Sequence, residues 1–254
     1  MAELDLTLIL ILVLFGFLSG FIDSVAGGGG LITLPVLLST GMNPAAAVAT
    51  NKLVGTMGSF TSSYVFFRSG KLDLSSIYKL FLVAFTGSIV GAWTVHLIDP
   101  VIMKPLMLIM LALVAVYTLI KKDWGSMQSK KQLTMQKIIL FVFAIFIIGF
   151  YDGFLGPGTG SFLIFAFLLI GSDFITAAGN AKFLNFGSNI AALCLFIYLG
   201  EVNYMYGFPM AIACVLGSVI GARFAISKGI GYIRFIFITV TFVLLAKNMY
   251  DFIW

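Results

Sequence analysis

The chain has 254 residues, of which 61% are hydrophobic and only 10% are charged, and phenylalanine alone occupies 26 positions. This balance excludes an ordinary soluble domain and predicts an integral membrane protein. The net charge of +5 does not indicate a nucleic-acid partner, because the basic residues lie between apolar segments, where they orient a chain in a bilayer.

Six long apolar runs are the candidate membrane helices. Most of them are long enough to cross a hydrocarbon core of about 30 Å as α-helices. The first run is preceded by Glu3 and Asp5 and by no basic residue, unlike a secretory signal peptide, so we expect it to be retained as the first helix. The runs lie at 6–22, 74–98, 101–120, 138–150, 204–226 and 230–254.

The region after the first run contains an acid, a glycine-rich break and a lysine. Asp23 precedes four consecutive glycines, and a short apolar piece at 31–40 follows them. This piece spans only about 15 Å as a helix, so it either crosses partway or forms a short helix shielded by protein. Asn43-Pro44 is a helix-start signal, and Lys52 lies several residues inside the helix that begins there.

The same arrangement returns about 130 residues later in the chain. Asp152, Gly156, Gly158 and Lys182 match Asp23, Gly27, Gly29 and Lys52. An acid and a lysine that both recur inside apolar segments are difficult to attribute to composition alone. The sequence therefore predicts two transmembrane repeats, residues 1–120 and 138–254, joined by a basic linker at 121–137, as transporter folds often show.

The distribution of lysine and arginine predicts how the repeats are oriented, because these residues collect in short cytoplasmic loops. The linker carries five lysines and one acid and is predicted to be cytoplasmic. Arg68 and Lys71 flank the turn at Gly70, whereas the corresponding turn at Gly200 has Glu201 and no base. We therefore predict an all-α polytopic membrane protein of two inverted-topology repeats, with short or broken helices at its centre and both termini outside.

The glycine breaks and the ionisable groups predict a buried anion site. Ionisable residues inside a membrane are costly, by about 2.5–3.5 kcal/mol on insertion scales, and are functional by default. Each break precedes an apolar helical run, which points backbone N–H groups and a positive helix end toward an anion. Lysines would add charge, and asparagines would add neutral donors. The predicted substrate-binding residues are Lys52, Lys182, Asn51, Asn180, Asn185, Asn189, Gly28, Gly29, Gly30, Gly158 and Thr159.

Asp23 and Asp152 are the predicted proton-coupling residues, because each precedes its break by four residues. In this hypothesis one of them carries a proton linked to anion movement, and the other caps broken backbone near its glycine loop. The alternative is that both acids only accept local N–H bonds, for which aspartate is well suited.

The other residues also have structural alternatives. Glycines allow close helix crossing, asparagines bond between helices, and each lysine could form an ion pair with Asp23 or Asp152 that only holds the helices together. We predict no catalytic residue, metal site or cofactor. His96 stands alone, and Cys194 and Cys214 lie in apolar segments without metal-ligand spacing.

Two paired motifs resemble those of a known family. GFIDSVAGGGG followed by ATNKL, and the second copy GFYDGFLGPGTGS with NAKFLN, closely resemble the sulfite exporter TauE/SafE family of permeases. The resemblance covers essentially the whole chain. It implies secondary transport of a small anion, such as sulfite, thiosulfate or an organosulfonate, across the plasma (inner) membrane.

We therefore expect a multi-pass secondary transporter and no enzyme activity. Rocking of one repeat against the other would give alternating access to an anion near the bilayer midplane. A passive anion channel would use the same residues, and an intramembrane enzyme is the third alternative. The expected partners are the anion and the lipid bilayer, with homo-oligomer formation left open.

Overall fold

The computed structural model describes residues 5–72, 74–120 and 134–228, which form α-helices and no strand, as predicted for an all-α protein. The apolar run at 230–254, linker residues 121–133 and both chain termini lie outside the described residues. The helices are α1 (Leu6–Ala26), α2 (Gly30–Ser39), α3 (Pro44–Arg68), α4 (Leu74–His96), α5 (Pro100–Ile120), α6 (Met135–Phe154), α7 (Thr159–Leu169), α8 (Phe174–Tyr198) and α9 (Tyr204–Lys228).

Five of the described helices are long and apolar enough to cross a membrane, namely α1, α6, α8 and most of α4 and α9. The protein is therefore a multi-pass membrane protein. Helix α3 has the same length as α8, 25 residues, but it is too polar to be included. Its buried polar residues are Thr50, Asn51, Lys52, Thr56, Ser59, Ser62 and Ser63.

The order of long and short helices recurs along the chain. Helices α1 to α4 are long, short, long and long, and so are α6 to α9. The third helix of each set begins 130 residues apart, at Pro44 and Phe174, and each is capped by the residue before it. The Asn43 side chain accepts the Ala45 N–H at 2.9 Å, and the Asp173 side chain accepts the Ile175 N–H at 3.1 Å. The division of the chain into two repeats stays a prediction.

Close glycine contacts show that α1 and α9 run in the same direction. A Cβ at Gly16 would lie 2.4 Å from the Met210 carbonyl oxygen, and one at Gly20 would lie 2.1 Å from that of Cys214. Only glycine allows backbones to approach this closely. Since the contacts advance together along both helices, the two helices are parallel.

Helices α4 and α6 are paired in the same way. A Cβ at Gly87 would lie 2.4 Å from the Phe146 carbonyl oxygen, and one at Gly91 would lie 2.0 Å from that of Phe150. These contacts also advance together. Both close pairs therefore join a helix from the first half of the sequence to a helix from the second half.

Helices α3 and α8 each pack on one of these two pairs. Helix α3 runs parallel to α9, because Thr50 and Leu53 contact Gly207 and Gly58 contacts Cys214. Helix α8 packs along α4 in the same direction, as the Phe81–Phe183 ring contact at 4.8 Å and the hydrogen bond from Ser88 to the Ser188 carbonyl show.

Where α3 meets α8, the two helices are antiparallel. Gly55 contacts Asn189, the Phe60 and Phe186 rings are 5.2 Å apart, and Phe66 contacts Gly179. The short helix α2 packs on α1 and α3, and α7 packs on α6 and α8. We refer to α1, α2, α3 and α9 as the first bundle, and to α4, α6, α7 and α8 as the second bundle.

These directions have two consequences. Three long helices of the first half run opposite to their counterparts in the second half, in the pairs α1 and α6, α3 and α8, and α4 and α9, while the inversion of two repeats stays a prediction. Because α1 and α3 run in the same direction, α2 must return the chain between them. The short apolar segment therefore forms a hairpin with α1, and α7 forms the equivalent hairpin with α6.

The directions also place most of the described basic residues at one end of the molecule. Helices α3 and α9 end there, and α4 and α6 begin there. The basic residues at this end are Arg68, Lys71, Lys79, Lys137, Arg223 and Lys228. Asp173 lies at the same end, whereas Asp5, Asp99 and Glu201 lie at the opposite end.

Cysteine labelling tests these directions in the membrane. In a background without Cys194 and Cys214, Ser69→Cys and Glu201→Cys should react with an impermeant maleimide from opposite sides of sealed vesicles. Lys137→Cys is the internal control and should react from the same side as Ser69→Cys. Labelling of the cysteines at positions 69 and 201 from one side would contradict the inversion.

Candidate functional site

The two glycine breaks meet each other inside the protein. A Cβ at Gly27 would lie 2.3 Å from the Gly160 carbonyl carbon, so the two loops touch through their backbones. The Ser161 hydroxyl donates to the carbonyl oxygens of Ala26, at 2.9 Å, and of Gly27. Gly27 has a φ of 70° and Gly158 a φ of 81°, which is the left-handed region that favours glycine. The breaks therefore form one contact between the two bundles.

The acid of the first break binds both its own loop and a lysine from the second repeat. One carboxylate oxygen of Asp23 accepts the N–H groups of Gly28 and Gly29, at 2.9 and 3.0 Å. The other oxygen accepts the Lys182 ammonium at 2.8 Å. Two of the N–H groups that we predicted to face an anion are thus occupied by Asp23.

The acid of the second break has different partners. The Lys52 ammonium donates to the Asp152 carboxylate at 3.0 Å and to the Asp152 backbone carbonyl. The other carboxylate oxygen of Asp152 receives only a long contact, 3.5 Å, from the Asn185 amide nitrogen. Within the described residues no backbone N–H binds the Asp152 side chain. The N-cap residue of α7 is Gly158, so the start of this helix has no side-chain cap.

Each ion pair therefore joins a lysine of one repeat to the acid of the other, and both pairs cross between the bundles. The lysine side chains are fully buried, Asp152 is 2% exposed and Asp23 is 16% exposed. Charges buried to this extent must be paired, because removing a single charge from water costs several kcal/mol. The four charged groups sum to zero.

A small polar cavity lies between the bundles, next to both acids. Its volume is about 30 Å³, which is room for roughly two water molecules. The cavity is lined by Ser19, Asp23, Gly28, Gly29, Gly30, Thr33, Asn51, Val54, Gly55, Gly58, Asp152, Gly156, Gly158, Thr159, Gly160, Asn185, Asn189 and Cys214.

Most of the sequence-predicted site residues come together at this cavity. Three of them, Lys52, Lys182 and Asn180, do not line it. The lysines lie behind the acids, with the Lys52 ammonium close to Gly156 and the Lys182 ammonium close to Gly160. Those that line the cavity are Asp23, Gly28, Gly29, Gly30, Asn51, Asp152, Gly158, Thr159, Asn185 and Asn189.

Several lining residues were missed by sequence reasoning. Gly55 and Gly58 follow Asn51 at helical spacing, so the periodicity of α3 carries a signal that they share its face. Ser19 precedes Asp23 by one helical turn and carries the same signal. Cys214 comes from α9, which reaches the cavity only through tertiary packing, and no local pattern indicates it.

One hydrogen-bond donor at the cavity has no protein acceptor among the described residues. Asn51 is 6% exposed, and its amide oxygen accepts the Thr33 hydroxyl, so its NH₂ group is left as a donor toward the cavity. Within the described ranges this NH₂ group has no acceptor. The same part of the chain contains no cluster of three His, Cys, Asp or Glu side chains that could hold a metal ion. The arrangement can bind a small acceptor-rich ligand.

The contribution of one ion pair to the stability of the protein can be measured by comparing a single variant with a double variant. Lys182→Met leaves the Asp23 carboxylate buried without its cation and should lower the free energy of unfolding by about 3 to 5 kcal/mol. Adding Asp23→Asn removes the uncompensated charge and should restore part of that loss. The measurement is thermal unfolding in detergent, with the exposed Lys71→Met as the matched control. A single and a double variant of equal stability would contradict this account of the pair.

The chain is similar to a known family of membrane proteins. A family model described as sulfite exporter TauE/SafE matches residues 12–248. A "probable membrane transporter protein" of Haemophilus influenzae is 37% identical over 253 residues, which cover 99% of this chain and 98% of the relative. The "probable membrane transporter protein YfcA" of Escherichia coli K12 is 38% identical over 242 residues, covering 95% and 89%. No solved structure matches the chain.

Proposed function

The chain belongs to the sulfite exporter TauE/SafE family of membrane transporters, and on that basis we propose that it is a secondary transporter of a small sulfur-containing oxyanion. It is a transporter and not an enzyme, as its family and relatives are. The observation that carries the proposal is the polar cavity between the bundles, which both glycine breaks and both acids line. A binding site at the interface of two repeats is the usual arrangement in transporters of this kind.

The donors around the cavity favour an anion. A sulfur oxyanion presents several acceptor oxygens around one centre, and convergent N–H donors suit that geometry. Asn51 supplies a side-chain NH₂ group, and the uncapped start of α7, at Thr159, supplies the positive end of a helix. The Thr159 hydroxyl itself donates to the Gly156 carbonyl at 2.8 Å. Lys52 and Lys182 contribute charge from behind the acids instead of touching the anion directly.

The size of the cavity favours a compact anion. A volume of about 30 Å³ is smaller than any of these anions needs, so the bundles must separate to admit one, and the most compact anions require the least separation. Gly55 helps to set this size, because a Cβ there would lie 2.6 Å from the Asn189 amide oxygen. We therefore place sulfite and thiosulfate ahead of the organosulfonates.

Alternating access would come from movement of one bundle against the other. Rocking of residues 1–120 against 138–254 would have to separate the glycine contacts of α1 with α9 and of α4 with α6. These contacts join backbones at distances that leave no room for sliding. The rigid bodies of the proposal are therefore the first and second bundles, each of which contains helices from both repeats.

The orientation follows from the charges at the two ends. The end with six basic residues is the cytoplasmic one by the positive-inside rule, which puts Asp5 and the beginning of α1 outside. We retain the plasma membrane as the location and the two inverted repeats as the organisation of the chain. The predicted position of the C-terminus lies outside the described residues.

Binding of the anion can be tested with purified protein. A ligand that binds only the folded form raises the unfolding temperature, so sulfite or thiosulfate should stabilise the protein more than taurine, sulfoacetate or sulfate. Asn51→Leu should lose this stabilisation, whereas Asn43→Ser, which changes only the α3 cap, should keep it. Absence of a response to all five compounds would argue against a sulfur oxyanion.

Transport can be separated from channel activity with proteoliposomes. A transporter should exchange labelled anion against unlabelled anion inside the vesicle, and an imposed pH gradient should change the rate. A passive channel would share the cavity but would conduct the anion without exchange and without dependence on the pH gradient.

Cross-linking tests which bodies move. Cysteine pairs at Phe21 and Phe224, whose rings are 6.0 Å apart within the first bundle, should be cross-linked without loss of transport. Pairs at Phe60 and Phe186, at 5.2 Å between the bundles, should abolish transport when cross-linked and recover it on reduction. Inhibition by the cross-link within the first bundle would contradict the proposed bodies.

A further inference from the structure

Resting on the proposed anion transport, we infer that Asp152 takes up a proton together with the anion and that Asn185 holds this acid in both protonation states. In this assignment Asp23 remains ionised and serves as a fixed part of the first break. The assignment distinguishes two residues that the sequence presents as equivalent, and it rests on their different hydrogen bonds and on the sum of the buried charges.

The charge sum shows why a proton is needed. With both acids ionised, Lys52 and Lys182 are fully compensated, so an anion that enters the cavity would add an unpaired buried charge. A proton on Asp152 leaves the Lys52 ammonium without its counter-charge. The anion then supplies that charge, and each ligand favours binding of the other.

Hydrogen bonding separates the two acids. Both oxygens of Asp23 are occupied, one by two backbone N–H groups and the other by Lys182, so a proton there would weaken three bonds. Asp152 has one oxygen on Lys52, while its second oxygen has only the long 3.5 Å contact with Asn185. That second oxygen is the site where a proton can be added at the least cost.

Asn185 can hydrogen-bond the Asp152 side chain in both of its protonation states. Its amide nitrogen donates to the ionised carboxylate, and after rotation of the amide its oxygen can accept the carboxylic O–H. The corresponding position in the first repeat is Gly55, which has no side chain. Asp23 therefore has no equivalent partner, and Asn185 is a positioning residue that occurs on one side only.

The groups around Asp152 leave its assignment intact. Lys52 faces it from α3 and Asn185 from α8, and Tyr151 is its neighbour on α6, where its hydroxyl donates to the Pro157 carbonyl at 2.7 Å. Across the cavity lie Asp23 from α1, which is bound to Lys182 of α8, and the Cys214 thiol from α9. Of these groups, Asp152 alone combines a place at the cavity wall with an acceptor oxygen that has only one long hydrogen bond.

The step is balanced for proton and charge. A proton from water binds the second oxygen of Asp152, and the anion enters the cavity, with Lys52 behind the protonated acid. When the cavity opens to the other side, the anion leaves, the proton returns to water, and the bond between Lys52 and Asp152 is restored. Proton and anion thus move in the same direction. Hydrogensulfite, which is monovalent, moves without net charge, whereas divalent thiosulfate moves with one net negative charge.

Anion-induced proton uptake is the direct test. Sulfite or thiosulfate, whichever stabilises the parent protein, is added in weak buffer with a pH indicator. The parent and Asp99→Asn, which changes an exposed acid outside the cavity, should each take up about one proton per bound anion, beyond what the anion releases or binds in buffer alone. Asp152→Asn should bind the anion without this uptake, and its affinity should no longer fall by about tenfold per pH unit in alkaline buffer.

Conservative variants keep the test decisive if Asp152→Asn fails to fold. Asp152→Glu should keep proton uptake but shift the pH of half-maximal uptake, whereas Asp23→Glu should leave that pH unchanged. Asn185→Leu should move it toward acid, because the protonated carboxyl loses its acceptor. Uptake that persists in folded Asp152→Asn, or a pH of half-maximal uptake that shifts in Asp23→Glu, would overturn the inference. Failure of both anions to stabilise the parent would instead reject the proposed substrate.

Discussion

Two lysines buried in a largely apolar protein can be accommodated only because each has a carboxylate from the other half of the chain. Lys52 is bound to Asp152 and Lys182 to Asp23, and each bond joins the first bundle to the second. An unpaired charge at this depth would cost several kcal/mol, so neither bundle is stable in this form without the other. The same bonds hold the bundles together beside the cavity, and any opening between the bundles must replace at least one of their partners with water or substrate.

Glycine provides the complementary constraint. Where α1 meets α9 and α4 meets α6, carbonyl oxygens lie within about 2.5 Å of the place of an added Cβ, so these interfaces consist of backbone against backbone. Between the bundles the glycine breaks also touch backbone to backbone, at Gly27 and Gly160, but aromatic rings and amide side chains fill the contact of α3 with α8 at Phe60, Phe186 and Asn189. Side chains can change rotamer as helices shift, whereas backbone contacts cannot. The adjustable contacts between the bundles are therefore those of α3 with α8.

The sequence was sufficient to predict much of this arrangement, because the relevant signals are local. Asn43-Pro44 fixes the start of α3, and an acid and a lysine that recur after about 130 residues predict the repeat. Lysine distribution alone predicted the inversion, which stays a prediction. The choice of ion-pair partners was beyond local signals, since Lys52 lies 100 residues from Asp152. The binding of the Gly28 and Gly29 N–H groups by Asp23 could not be predicted either. The sequence of a glycine loop before a helix is the same whether its N–H groups bind an anion or a side chain.

The proposed proton uptake depends on the differences between the two halves of the chain and not on their similarity. An exact two-fold arrangement would give both acids the same partners, and proton uptake by one would then be no easier than by the other. Here the first repeat has Asn51 and Gly55 where the second has Ala181 and Asn185. The first acid is consequently fixed by its backbone loop, while the second faces an amide that can donate or accept. A transporter of this kind can use the common architecture to open to either side and the unequal residues to bind a proton and an anion at defined positions.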